Sequence, residues 1–100
     1  MPGLRHVVTL TFRDDTSPET IADIVEALRA LPGQIPALRQ YVVGADVGKS
    51  DGNATVAIVA DFDDWDGYVT YRDHPAHVAV GVEKVAPVLA GRGAVQHELS

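Results

Sequence analysis

The chain has 100 residues, a length that predicts one domain over residues 1–100 with one modest hydrophobic core. Its formal net charge of -6 argues against nucleic acid as a partner, because phosphate binding needs a clustered surplus of Lys and Arg. The chain has no cysteine, which excludes disulfides and thiolate metal sites, and it has neither a signal-peptide pattern nor an apolar run of ~20 residues, so we expect a cytoplasmic protein without a membrane partner.

The first part of the chain predicts a strand followed by a helix. Ser17 is a suitable N-cap and Pro18 suits the first helical position, and apolar residues continue at helical spacing to Leu31. Pro32-Gly33 predicts the end of this helix. The strand before it alternates, and its core-facing side carries His6, Val8, Leu10 and Phe12.

Two apolar runs in the middle of the chain predict a pair of strands. They cover residues 38–47 and 54–62, and the polar, glycine-bearing segment 48–53 between them is typical of a hairpin loop. We therefore expect these two strands to be antiparallel neighbours.

The last third of the chain predicts two helical segments and a final strand. A short helical segment begins within residues 63–68, and a longer helix starts at Pro75 with Asp73 or His74 as its cap. Pro87 predicts an early end or a kink, and residues 94–99 predict the last strand. The expected apolar face of the longer helix is formed by Val78, Val82, Val85 and Leu89.

The order strand, helix, strand, strand, helix, strand predicts a ferredoxin-like α+β sandwich, in which a four-stranded antiparallel sheet carries its helices on one face. The middle strands are apolar on both sides, because Ala57 and Val59 alternate with Val56, Ile58 and Ala60. Since the helices cover only one face, the other needs a second cover. We therefore predict a homodimer that packs sheet to sheet.

Three short motifs, in this order, resemble the stress-responsive dimeric α/β-barrel (Dabb) family. They are Arg5-His6-Val7-Val8, Gly44-Ala45-Asp46-Val47 and Tyr71-Arg72-Asp73-His74-Pro75-Ala76-His77-Val78. The resemblance extends over nearly the whole chain and implies a dimer whose two sheets close into a barrel. Related ferredoxin-like families, such as antibiotic-biosynthesis monooxygenases, also place His-Pro before a helix.

The resemblance also suggests a reaction. The family's olivetolic acid cyclase-like polyketide cyclases close a linear polyketide thioester by aldol condensation, without a metal or an organic cofactor. Their catalytic tyrosine and histidine correspond to Tyr71 and His77, and a further pocket histidine corresponds to His6. Val56 stands where these cyclases carry another histidine, and this departure argues against the same substrate.

Each candidate residue has a chemical role and a structural alternative. His77, at the positive end of a helix dipole, is expected to be neutral near pH 7 and to serve as a general base, or else simply to bond the backbone. Tyr71 is a candidate oxyanion donor or a core tyrosine. His6 faces the helices and either orients the other two or is a buried, satisfied histidine. His74 is assigned to helix capping.

Three functions therefore remain open. The leading hypothesis is a cofactor-free, cyclase-like lyase with a pocket between sheet and helices for a small apolar or polyketide-like compound. The alternatives are a non-catalytic stress-responsive or ligand-binding dimer and a ferredoxin-like monooxygenase. No metal site is predicted, because His74 and His77 lack a nearby third ligand. An enzyme requires a cavity of roughly 300 Å3 or more, lined by His6, Tyr71 and His77.

Overall fold

The computed structural model describes residues 3–99. The first helix is followed by a 3₁₀ turn (Leu31–Gly33), and the last by a π-helical turn (Gly81–Val85) and a second 3₁₀ turn (Ala86–Val88). No helix in this part of the chain is long and apolar enough to cross a membrane. The strands and α-helices, in chain order, are β1 (Leu4–Phe12), α1 (Pro18–Arg29), β2 (Gln40–Ala45), β3 (Val56–Phe62), α2 (Trp65–Asp73), α3 (Pro75–Val80) and β4 (Leu89–Glu98).

The four strands form one antiparallel sheet in the order β2-β3-β1-β4. This order confirms the predicted ferredoxin-like sandwich, including the antiparallel pairing of β2 with β3. Alternate residues of β1 and β3 are buried together with the inner side of α1 in one core. The largest fully buried side chains of that core are Phe62, Ile24, Leu31, Ile35 and Val56.

The helix boundaries follow local capping chemistry. The Ser17 hydroxyl accepts a hydrogen bond from the Thr20 N–H at 3.1 Å, and α1 ends before the turn that contains Pro32, as predicted. At α3, Nδ1 of His74 accepts from the Ala76 N–H at 3.1 Å, so His74 is the cap. The other candidate, Asp73, instead pairs with a neighbouring arginine.

The predicted apolar face of the last helix is wrong. Val78 and Val82 are 46% and 65% exposed, whereas Val85 is buried and Leu89 already belongs to β4. α3 packs against the core through Ala76 and Val80 instead, and in the π-helical turn that follows, the Ala86 N–H bonds to a carbonyl five residues earlier, so the 3.6-residue period does not continue. The last strand begins five residues before the predicted position.

The outer face of the sheet, opposite the helices, carries a continuous apolar row. Cross-strand pairing aligns one valine from each of the four strands, and the two at the edges are 52% and 61% exposed. In the next row, Arg5 donates two hydrogen bonds to Asp61, at 2.7 and 2.8 Å. The sheet is therefore apolar on its outer face as well as on the face that carries the helices, as the sequence predicted. We call the set Val42, Val59, Val7 and Val95 the valine row.

Candidate functional site

A cavity of about 280 Å3 lies between the sheet and the helices. This volume is just below the bound of roughly 300 Å3 expected for a small-molecule site. All three residues predicted from the sequence, His6, Tyr71 and His77, line it. Most of the remaining wall is aliphatic, so the cavity offers a few polar groups on an apolar background.

The cavity residues come from three different elements. His6 projects from β1 on the side that faces the helices, Tyr71 lies in the last turn of α2, and His77 lies in the first turn of α3. The extended backbone at His74 separates the two helices and turns the chain between them. As a result, the rings of Tyr71 and His77 are in contact, with centroids 4.2 Å apart.

The hydrogen bond of His77 determines which ring nitrogen carries the proton. Its Nδ1 lies 3.0 Å from the backbone carbonyl of Arg72. A carbonyl only accepts hydrogen bonds, so Nδ1 donates, and Nε2 of the neutral ring is left without a proton. Neutral His77 can therefore accept a proton at Nε2.

The environment of His77 favours this neutral form. Burial lowers the pKa of His77; the hydrogen bond to Arg72 opposes this shift, and the positive charge of Arg92 adds to it. The direction agrees with the expectation of a neutral imidazole. The cause differs, because burial contributes most and the helix dipole was the reason expected from the sequence.

Tyr71 is a buried phenol whose hydroxyl faces that of Tyr41. Its hydroxyl lies 3.4 Å from that of Tyr41, and its side chain is 3% exposed. Burial raises the pKa of Tyr71, so the phenol keeps its proton and can donate a hydrogen bond. Sequence reasoning assigned Tyr41 no role at the site. The register was the missing information, since it places Tyr41, Ala60 and His6 in one row across the sheet.

His6 is buried and is hydrogen-bonded to a residue of the edge strand β4. Its Nδ1 accepts a hydrogen bond from the side-chain amide of Gln96 at 3.1 Å, so neutral His6 carries its proton on Nε2. Burial lowers the pKa of His6, with smaller contributions from the charges of Arg92 and His77. Both cavity histidines are thus shifted toward the neutral state.

Comparison with known proteins identifies the family of the chain. The family model for the stress-responsive A/B barrel domain matches residues 4–98. The chain belongs to the Dabb family. A stress-response A/B barrel domain-containing protein of Arabidopsis thaliana is 32% identical over 79 residues, which cover 76% of this Dabb chain and 68% of the relative.

Solved structures agree with this assignment. A dimeric ferredoxin-like protein of unknown function from Thermobifida fusca is 42% identical, with a TM-score of 0.89 over 98% of this chain and 92% of that one. A hydroxynitrile lyase from Passiflora edulis is 16% identical, with a TM-score of 0.84 over 99% of this chain and 94% of that one. The second likeness is one of fold alone.

Besides its aliphatic residues, the cavity of this Dabb domain is lined by three polar side chains that were not predicted as site residues. Tyr68, from α2, stacks near His6 with ring centroids 4.9 Å apart, and Arg72 and Arg92 add two guanidinium groups. The alternation of β4 would have assigned Arg92 to the helix-facing side, but the predicted strand began after it. Among residues 3–99, no group of three or more metal-binding side chains is positioned to hold an ion.

Proposed function

We propose that this Dabb protein is a cofactor-free enzyme that uses His77 and Tyr71 as an acid–base pair on a small carbonyl compound. The observation that carries the proposal is the hydrogen bond from His77 Nδ1 to the Arg72 carbonyl, which leaves Nε2 of the neutral ring free as a base. The buried, protonated hydroxyl of Tyr71 supplies a donor for a developing oxyanion.

The pair suits an intramolecular aldol closure. His77 Nε2 takes a proton from a carbon next to a carbonyl, while the Tyr71 hydroxyl donates a hydrogen bond to the carbonyl oxygen as negative charge grows there. The enolate carbon then forms a bond to a second carbonyl carbon of the same molecule, and the imidazolium returns its proton to the resulting alkoxide. His6, held by Gln96, orients the reacting groups.

The aliphatic wall defines the kind of substrate. A cavity of about 280 Å3 suits a compact apolar or polyketide-like molecule. Because aliphatic surroundings exclude water, the pKa of the base falls and the hydrogen bond to an oxyanion becomes stronger than it is in water. Both effects favour enolate chemistry near neutral pH.

A homodimer that packs through the valine row is part of the proposal. Its support is the apolar outer face and the description of related proteins, from Thermobifida fusca and Bacteroides fragilis, as dimeric at 42% and 30% identity. Sedimentation at micromolar concentration tests it, and a particle of 10.6 kDa would rule the dimer out. A cytoplasmic location stays a prediction from the sequence.

Exchange of α-protons on model carbonyl compounds tests the acid–base pair. Linear 1,3,5-triketones are incubated with the protein in D2O, and proton NMR follows both deuterium uptake at the carbon between two carbonyls and ring closure. We expect His77→Gln to lower both rates by about 10²- to 10⁴-fold and Tyr71→Phe by about 10²- to 10³-fold.

A matched control removes the imidazole of His74, which lies between α2 and α3. His74→Asn keeps a good helix cap, because asparagine is among the preferred N-cap residues, and His74 does not line the cavity. Full rates in His74→Asn and loss in the other two variants support the proposal. Equal rates in all three variants and the wild type, or no protein-dependent exchange, would favour a non-catalytic dimer.

A further inference from the structure

The cavity is positively charged although the chain is acidic. The protein has a formal net charge of -6, yet the residues that line the cavity include Arg72 and Arg92 and no Asp or Glu. A wall of one charge sign in apolar surroundings attracts ligands of the opposite sign. The cavity therefore differs electrostatically from the protein around it.

The two arginines are not equivalent. Arg72 is neutralised by Asp73, which accepts from its Nε and a terminal nitrogen at 2.9 and 3.1 Å. The other ion pairs formed within residues 3–99 involve Arg5, Arg13, Arg39 and Lys84, so none of them includes Arg92. Arg92 is thus the cavity cation whose charge is not balanced by a carboxylate in the described part of the chain.

The position of Arg92 places its charge next to the proposed chemistry. It pairs with Leu10 across β1 and β4, and because Leu10 and His6 lie on the same side of β1, Arg92 also lies on the helix-facing side of the sheet. Its positive charge lowers the pKa of both His6 and His77 and acts in the same direction on Tyr71. A ligand in contact with Arg92 is therefore within reach of the same residues.

We propose that Arg92 is a specificity-determining residue that selects ligands with an apolar body and a carboxylate. The planar guanidinium offers a fork of donors that matches the two oxygens of a carboxylate, and such charge-assisted pairs are stronger than neutral hydrogen bonds. The aliphatic wall holds the rest of the molecule. This inference deepens the proposed function, since it rests on the same cavity, but binding alone tests it.

A pair of aromatic probes that differ only in charge provides the experiment. Calorimetry measures the affinities of 2-naphthoate and of the neutral 2-naphthamide for the full-length protein, and amide NMR shifts at Gly81 in the cavity wall check where they bind. We expect the carboxylate to bind about tenfold more tightly, which corresponds to about 1.4 kcal/mol. The preference should decrease as salt increases, because Arg92 is exposed to solvent.

Two substitutions and a control assign the preference to Arg92. Arg92→Met removes the charge but keeps an apolar stem, and we expect it to bind both probes equally. Arg92→Lys keeps the charge and should retain part of the preference, less than arginine because it loses the fork. Lys49→Met makes the same change of charge in the exposed β2–β3 loop and should behave as the wild type.

The outcomes separate this inference from the catalytic proposal. Equal affinities for the two probes in the wild type, including no binding of either, overturn it, and so does a preference that survives in Arg92→Met. A preference that is lost in Arg92→Met and kept in Lys49→Met supports it, even where His77→Gln leaves proton exchange unchanged. Conversely, proton exchange that depends on His77, together with equal affinities for the two probes, supports the proposed function and refutes the role of Arg92.

Discussion

Acidification should destabilise the fold through His6 and His77 before any carboxylate contributes. Burial lowers the pKa of both histidines in the folded protein, whereas the unfolded chain titrates near ~6.5. Their stabilising contribution is therefore complete above that pH and is lost as pH falls through the lower folded-state values. In this window the unfolded state binds more protons than the folded state, so stability must fall with pH.

The magnitude follows from the number of protons taken up on unfolding. Each histidine contributes a slope of at most about 1.4 kcal/mol per pH unit, and the two together at most about 2.7 kcal/mol per pH unit. The carboxylates with lowered pKa, such as Asp61, act only below the usual value of 3.8, so they do not contribute between pH 6.5 and 5. The histidine contribution can therefore be measured separately.

Urea unfolding at constant protein concentration, between about pH 7.5 and 5, measures this slope. Each of His6→Gln and His77→Gln should reduce the slope, by at most about 1.4 kcal/mol per pH unit, and the double variant should remove it. Stability that does not change over this range, or a slope that persists in the double variant, would show that the two imidazoles are not held neutral. The same result would remove the physical basis for His77 as a base.

Three further predictions concern the fold and the assembly. Phe62→Ala should cost about 3–5 kcal/mol in urea unfolding, because this 1%-exposed ring contacts Tyr68 and Tyr71, and a loss below ~1 kcal/mol would contradict the packing. Ser17→Ala should cost about 1 kcal/mol, measured in the same way, and no change would show that its hydrogen bond to Thr20 does not matter. Val59→Asp places a charge in the valine row and should yield monomers in sedimentation, whereas an intact dimer would show that the interface does not include the valine row.

Local chemistry made most of the element boundaries predictable. The start of α1 at Pro18, its end before Pro32 and the start of α3 at Pro75 each depend on a few neighbouring residues and are as predicted, and of the two candidate caps of α3, Asp73 and His74, the structure has His74. The alternation of β1 also predicted which side of the sheet His6 faces. Such features depend on backbone sterics and on hydrogen bonds between residues close in the chain.

The prediction of the last helix failed because its geometry is not set locally. The predicted face would bury Val78 and Val82, but α3 packs against the core through Ala76 and Val80, and the π-helical turn after it breaks the 3.6-residue period. β4 then begins early, at Leu89. Pro87 predicted an early end or a kink, and α3 does end early, at Val80, but the spacing of the residues did not specify a π-helical turn.

The sequence by itself determined which residue types were available for chemistry and on which elements they lie. Only the tertiary structure decided their relations: the contact between the hydroxyls of Tyr71 and Tyr41, the proton on Nδ1 of His77, and the position at the cavity of Arg92, whose charge no carboxylate within residues 3–99 balances. These depend on strand register, on burial and on where chain segments far apart in sequence meet. The physical reason is that pKa values and hydrogen-bond partners belong to an environment, and folding creates that environment.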